Sequence, residues 1–180
     1  GIIMGINISG ISNETMTLPD NAFQGGFWVT DKKATNTDGG SFSSGAWRQR
    51  DLNEVEFKFG NVGTVGLSGN QVTPTEGWYL ILWSAPAIRV GHHNSRIATS
   101  WGGIQYGTCG RTPTAGYHNE SRSHGCARFW FNGSQTFGVQ HKCDDGQSSS
   151  YGFGSGQREN PRFTEVTCLK YVYDTAGATP

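Results

Sequence analysis

Apolar and polar residues alternate in several short segments of this 180-residue chain. In residues 54–59, Val55, Phe57 and Phe59 alternate with charged residues, and residues 137–143 alternate in a similar way. A two-residue period is typical of β-strands that bury one face. The pattern predicts that Val55, Phe57 and Phe59 lie together on one face of a strand.

The segment from Trp78 to Trp83 is apolar at every position. Such a strand needs cover on both of its faces, because successive side chains point to opposite sides. Pro86 follows closely, and since proline cannot donate a ladder hydrogen bond, we expect it to end this strand or to confine it to a sheet edge.

Turn-forming residues separate these segments, and no apolar pattern has the 3.6-residue period of a helix. The composition agrees, with 27 glycines, 12% aromatic residues and only 16% charged residues. About eight short strands with turns between them are typical of a sandwich or a jelly roll. The sequence therefore predicts an all-β fold built from two antiparallel sheets.

The charge balance excludes two classes of partner. The 14 Lys and Arg residues are matched by 14 Asp and Glu residues. A nucleic-acid-binding domain or a polybasic membrane-surface module would carry a clear positive excess. The apolar run at Trp78–Trp83 is also too short to span a bilayer. We expect neither nucleic-acid binding nor membrane insertion.

The sequence offers no convincing catalytic residues. It contains no phosphate-binding loop and no well-spaced serine nucleophile motif. Glycoside hydrolysis needs two carboxyl groups that flank one bond, and the adjacent Asp144 and Asp145 point to opposite sides of a strand or lie in a loop. We expect that the chain is not an enzyme.

Histidines and cysteines are the candidate metal ligands. His92 and His93 point in opposite directions on a strand, so at most one of them could join His118 or His124. The cysteines form no Cys-x-x-Cys pair, and we expect no metal or other cofactor. Cysteines at the ends of the 109–126 segment could face each other across a hairpin, or all four could be free thiols. These four are Cys109, Cys126, Cys143 and Cys168.

Two segments, residues 100–106 and the loop 112–124, combine aromatic rings with hydrogen-bonding side chains. A sugar has an apolar face and a set of hydroxyls, so it suits such a surface. Trp101 and Tyr106 have a second interpretation as packed residues of a strand. The candidate ligand-binding residues are Trp101, Tyr106, Tyr117, His118, Asn119 and Arg122.

Four pieces of the chain contain characteristic short motifs. The first has a Gly-Gly turn that leads to Trp47 and then to Asp-Leu-Asn. The second runs from a Leu-polar-turn-Gln segment through Trp78-Tyr79 to Ser-Ala-Pro-Ala. The pieces are residues 31–53, residues 67–87, residues 90–97, and residues 134–166 with its Tyr-Gly-Phe-Gly segment. Taken in this order, they resemble the C-terminal receptor-binding domains of bacteriophage and prophage tail fibres.

This resemblance implies a jelly roll like the tumour-necrosis-factor (TNF) and complement globular-head domains. It implies a homotrimer at the distal end of a virion tail fibre, which binds a bacterial surface glycan or an outer-membrane or cell-wall receptor. The low apolar content and the two-faced strand Trp78–Trp83 agree with a subunit that completes its core with further copies. Residues 1–30 would lead in from an upstream fibre region, residues 31–173 would form the domain, and residues 174–180 would fray.

The resemblance does not cover residues 108–124, so it assigns no ligand-binding residue. Two other functions stay open at this point. The domain could be a trimerisation or assembly cap without a ligand, or a tailspike domain that cleaves the glycan it binds.

Overall fold

The computed structural model describes residues 23–115, 119–156 and 159–172. These residues form strands connected by turns and loops and contain no helix, so they contain no helix that could cross a membrane. The strands are β1 (Phe23–Lys32), β2 (Arg48–Gln49), β3 (Glu54–Gly60), β4 (Gly66–Ser68), β5 (Gln71–Thr73), β6 (Gly77–Ile88), β7 (His92–Thr99), β8 (Ile104–Arg111), β9 (Glu120–Phe131), β10 (Phe137–Cys143) and β11 (Arg162–Tyr171).

The strands form two antiparallel sheets. The first sheet has the order β3-β1-β11-β6-β9, and the second has the order β4-β5-β10-β7-β8, with β2 paired to β10. The chain passes from one sheet to the other after every strand except β4 and β7, so strands that are neighbours in a sheet are mostly distant in sequence. The predicted two-sheet antiparallel jelly roll is confirmed.

The main core lies between the two sheets and takes alternate residues from each strand. Tyr79, Ile81 and Trp83 of β6 are at most 3% exposed, and they face Ile97 and Val139 of the second sheet. The inward half of the two-faced strand therefore packs as predicted. Its outward half, Trp78, Leu80 and Leu82, is at least partly exposed.

A bulge in β3 changes one prediction. Val29 of β1 pairs with Val55, whereas the preceding Trp28 pairs with Phe57, so Glu56 is the extra residue. A bulge of one residue reverses the side-chain direction along the strand. Val55 packs against the core, but Phe57 and Phe59 point outward, so the prediction that all three share one face is wrong.

Pro86 does not end β6 and does not place it at an edge. The strand continues to Ile88 in a central position, with Pro86 opposite Arg122 of β9. The ladder between β6 and β11 ends at Ser84, so at Pro86 the strand has a neighbour on one side only. Proline has no backbone N–H, and it is tolerated there because no strand on the β11 side requires a hydrogen bond from this residue.

The first strand of the domain begins before the boundary placed at residue 31. Phe27 and Val29 of β1 are buried in the core, and β1 pairs with both β11 and β3. Residues 23–30 are therefore part of the sandwich. The remainder of the predicted N-terminal extension, and the predicted frayed tail at 174–180, lie outside the described residues.

Gly125 of β9 is required by the close approach of a core side chain. The six-membered ring of Trp83 lies over it, and a Cβ at this position would overlap the Trp83 ring. The indole is also fixed at its other end, because Trp83 Nε1 donates to Ser95 Oγ at 2.8 Å. The ring cannot move aside without losing this buried hydrogen bond.

We expect Gly125→Ala to lower the free energy of unfolding by about 1–3 kcal/mol, the usual cost of overpacking a core. Denaturant unfolding of the wild type and the variant at the same protein concentration measures this change in the free energy of unfolding. Trp83→Phe removes the part of the ring that covers Gly125, so the double variant should lose less stability than the two single losses added together. Simple additivity of the two losses would contradict this account of Gly125.

Candidate functional site

The outward face of the second sheet carries a group of aromatic and polar side chains, which we call the aromatic platform: the exposed Tyr106 and the half-buried Trp47, Arg96 and Gln140. Neighbouring strands bring them together, because Arg96 of β7 pairs with Tyr106 of β8 on one side and with Gln140 of β10 on the other. Arg96 points outward, since its neighbours Ser95 and Ile97 are fully buried.

Arg96 is held between two rings and an amide. Its guanidinium carbon lies 4.2 Å from the centre of the Trp47 ring and 5.9 Å from that of Tyr106, and the two ring centres are 5.7 Å apart. Arg96 Nε donates to Gln140 Oε1 at 2.9 Å. Tyr106 is 55% exposed, so the platform offers an aromatic ring with a fixed cation beside it to solvent.

Trp101 lies in the turn between β7 and β8, at the end of the sandwich. It is 41% exposed, yet its ring packs edge-on against Phe131 and Phe129, with centres 5.1 and 5.9 Å apart. The Trp101 ring is therefore partly packed against other aromatic side chains and partly open to solvent. It shares the β7–β8 hairpin with Tyr106 but does not belong to the aromatic platform.

The remaining predicted site residues are not brought to the platform. Tyr117 and His118 lie outside the described residues, and Asn119 is exposed just before β9. Arg122 lies within β9 rather than in a loop, because the strand begins at Glu120. The Arg122 guanidinium donates to Ser84 Oγ and to the Phe163 carbonyl, so it is bound to the first sheet. A ligand role for these residues stays a prediction.

Sequence reasoning missed Trp47, Arg96 and Gln140 as members of a site. Trp47 and Arg96 lie in segments that resemble tail fibres, but neither was predicted to bind a ligand. The signal that could have found them is the register of β7, β8 and β10. That register depends on the fold and is not visible within any one segment.

A second group of polar side chains is buried at the opposite end of β7. His93 Nδ1 lies 2.8 Å from His141 Nε2, and His93 Nε2 lies 2.7 Å from Ser121 Oγ. His93 is 2% exposed and His141 is fully buried, with its Nδ1 atom lacking a hydrogen-bond partner. The order serine, histidine, histidine has the form of a nucleophile, its base and an orienting group.

The electrostatics of this group oppose catalysis. Burial, together with the nearby Arg50 cation, lowers the pKa of His93 to about 4. Burial, Arg50 and His93 also lower the pKa of His141 well below its usual value. A general base must become an imidazolium during the reaction, and this site disfavours that charge. The geometry is better explained as a buried structural network.

Arg50 is the buried cation next to these histidines. It is fully buried, and its guanidinium donates to Thr164 Oγ1, the Pro86 carbonyl and the Phe153 carbonyl at 2.7, 3.2 and 2.9 Å. Burial lowers the pKa of Arg50 to about 9, and the nearby Asp31 carboxylate opposes the shift. The three acceptors tie β6, β11 and the loop before β11 to one side chain.

The candidate metal ligands do not converge in the described part of the chain, where no three histidine, cysteine or acidic side chains form a metal site. His92 points outward next to Asp144, with Nδ1 and Oδ2 3.1 Å apart, while His93 points inward. All four cysteines are free thiols: Cys109 and Cys126 are exposed, and Cys143 and Cys168 are buried.

The fold is similar to that of several solved structures. A crystal structure of murine APRIL at pH 8.5 matches with a TM-score of 0.50 and 10% identity, covering 82% of this chain and 98% of the other. The globular domain of zebrafish complement 1qA protein matches with a TM-score of 0.49 and 10% identity over 84% and 98% of the two chains. PRD1 vertex protein P5 matches with 0.49 and 13% over 83% and 98%.

No protein-family model matches this chain, and no curated protein matches it. At such low identity the structural likeness concerns the fold alone. It supports the predicted TNF-like jelly roll.

The buried histidines predict a loss of stability in mild acid. The unfolded chain takes up protons near the ordinary histidine pKa of 6.5, whereas folded His93 does so only near pH 4. The free energy of unfolding should therefore fall as the pH drops from 6.5 towards 4, with His93 contributing about 2 kcal/mol by pH 5.

His93→Gln should flatten the pH profile of denaturant unfolding, while His92→Gln, which changes the outward neighbour, should leave it unchanged. The raised pKa values of Asp31 and Glu120, both due mainly to burial, act in the opposite direction. The difference between His93→Gln and the wild type therefore isolates the histidine. Parallel profiles for these two proteins would refute the prediction.

Proposed function

We propose that this chain is the trimeric receptor-binding tip of a bacteriophage tail fibre, located at the distal end of the fibre on the virion. The tip attaches to a glycan or a protein on the bacterial surface and does not catalyse a reaction. Support comes from the four tail-fibre-like segments, from the TNF-like jelly roll and from the different chemistry of the two outward faces of the sandwich.

The observation that carries the proposal is the outward face of the first sheet, which we call the apolar face. Leu82 at its centre is 40% exposed and pairs with Thr167 and Cys126. Trp78 pairs with Trp130 and Tyr171 on the same side. The large apolar side chains of this face are Phe57, Phe59, Trp28, Leu169, Leu80, Leu82, Trp78, Tyr171 and Trp130.

The apolar face has the layout of a subunit interface. Burying exposed apolar area is favourable, and a monomer rarely exposes a continuous patch of this kind. Charged groups lie at its margins: Arg162 forms two hydrogen bonds to the Glu56 carboxylate at 2.6 and 2.9 Å, and Arg128 lies on the edge strand β9 beside Leu80. An apolar centre with a charged rim is typical of protein interfaces.

Further copies of the same chain are the partners that would cover the apolar face. Closed rotational symmetry lets one apolar face per subunit be covered around a central axis. Association through the first sheet leaves the second sheet, with its aromatic platform, directed away from that axis. One face would then serve assembly, and the other would be free to bind a receptor.

Leu82→Glu should convert the trimer into monomers, because it places a charge at the centre of the apolar face. Ile104→Glu is the matched control. The exposed fraction of Ile104, 44%, is close to that of Leu82, but Ile104 lies on the second sheet. Sedimentation at micromolar concentration distinguishes the species. A wild-type protein that sediments as a stable monomer would overturn the trimer.

Receptor binding is tested with purified wild-type and Leu82→Glu proteins on whole cells from a panel of bacterial strains. The trimer should be retained on at least one strain, and the monomer at least about tenfold more weakly, since three linked sites reinforce each other. A trimer that no strain retains would favour the assembly cap. Release of new reducing ends from cell polysaccharide would favour the glycan-cleaving tailspike.

A further inference from the structure

The second sheet contains no acidic residue. Its strands β2, β4, β5, β7, β8 and β10 have neither Asp nor Glu, but they include Arg48, Arg96, Arg111 and Lys142. The first sheet, by contrast, holds acidic residues in β1, β3, β9 and β11, and basic residues lie in the same four strands. The neutral total charge therefore conceals a local excess of basic residues on the second sheet.

Three of these cations project from the outward face. Arg96 belongs to the aromatic platform, and Lys142 follows Gln140 on the same side of β10, opposite Asn94. Arg111 is exposed near the end of β8, opposite His92. The acidic residue next to this group is Asp144, after the end of β10, and its carboxylate contacts His92.

The hydrogen bonding of Arg96 leaves part of its guanidinium available. Nε donates to Gln140, and among the described residues the two terminal nitrogens donate to no acceptor. The Trp47 ring lies against the guanidinium at 4.2 Å and covers one of its faces, which leaves the edge with the terminal nitrogens open to a partner. An edge with two N–H groups matches a carboxylate or a phosphate in a bidentate arrangement.

The rings on either side of Arg96 add a second kind of recognition. Tyr106 is more than half exposed, and Gln49 pairs with Gln140 at the margin of the platform. Aromatic faces suit the C–H surface of a sugar ring, and amide side chains suit its hydroxyls. The platform thus combines a surface for a sugar ring with a fixed cation beside it.

From this geometry we infer that the aromatic platform binds an acidic saccharide unit of a bacterial surface polymer. A sugar ring lies against Tyr106 and Trp47, and its carboxylate or phosphate group is bound by the edge of Arg96. Lys142 adds a longer-range attraction for the anionic polymer. The inference rests on the proposed function and names the chemical class of the receptor.

Affinity electrophoresis of the trimeric protein tests it, with polygalacturonate as a polysaccharide that carries carboxylates and phosphorylated dextran as one that carries phosphates. Carboxyl-reduced polygalacturonate supplies the neutral comparison, and inorganic phosphate alone tests simple anion binding. We expect one of the acidic polymers to bind at least about tenfold more tightly than the neutral polymer and than phosphate.

Arg96→Gln should weaken that binding at least about tenfold, and Arg96→Lys should recover only part of it, because lysine lacks the bidentate edge. Tyr106→Ser tests the stacking surface. Arg111→Gln removes a cation of the same sheet away from the platform and should change binding less than about twofold. An unchanged sedimentation profile shows that each variant is still assembled.

Equal binding of the acidic and neutral polymers, equal loss in Arg96→Gln and Arg111→Gln, or binding to none of the polymers would overturn the inference. If the wild-type trimer nevertheless adsorbs to cells, the proposed function stands and its receptor is of another class. If neither cells nor polymers are bound, the proposed function fails as well.

Discussion

A strand that is apolar on both faces sets the main physical constraint on this molecule. In β6 the inward residues Tyr79, Ile81 and Trp83 complete a core within the chain, while Trp78, Leu80 and Leu82 alternate with them on the other side. The sandwich can bury only one of these sets by folding. The other set stays partly exposed, and in the proposed trimer further copies of the chain cover it, so the strand that forms the core would also drive association.

The two sheets differ in chemistry because they have different tasks in the proposed trimer. The first sheet presents aromatic and aliphatic groups outward, with charged groups such as the Glu56–Arg162 pair and Arg128 at their margins. The strands of the second sheet are free of acidic residues, and Arg96 lies there beside two rings. A net charge of zero argues against nucleic acid and against a polybasic membrane surface. It does not describe each sheet, because the strands of the second sheet hold basic residues without acidic ones.

The fold could be predicted from the sequence because strand and turn signals are local. Alternation and turn residues lie within a few positions of each other, and they identified most strands. The errors arose where a neighbouring strand decides the outcome. The bulge at Glu56 follows from pairing with β1, and Pro86 is tolerated because the ladder with β11 has already ended.

The candidate site was only partly predictable for the same reason. Tyr106 was found because an aromatic residue beside polar ones is visible in a single segment. Its partners Trp47, Arg96 and Gln140 come from distant parts of the chain and meet only through strand register. Arg122 looked like a loop residue because nothing local shows that β9 begins at Glu120.

In the proposed trimeric tip, receptor binding depends on assembly because a single exposed platform binds its ligand weakly. The aromatic platform is an exposed surface, so a ligand on it keeps much of its hydration, and one charge-assisted contact with some stacking gives only modest affinity. Three copies on one rigid tip convert later contacts with a repeating polymer into intramolecular events, which raises overall affinity by about 10²–10⁴. If the chain is the proposed tail-fibre tip, the apolar face of the first sheet determines not only whether the subunits associate but also whether a weak platform on the second sheet holds a virion on a cell.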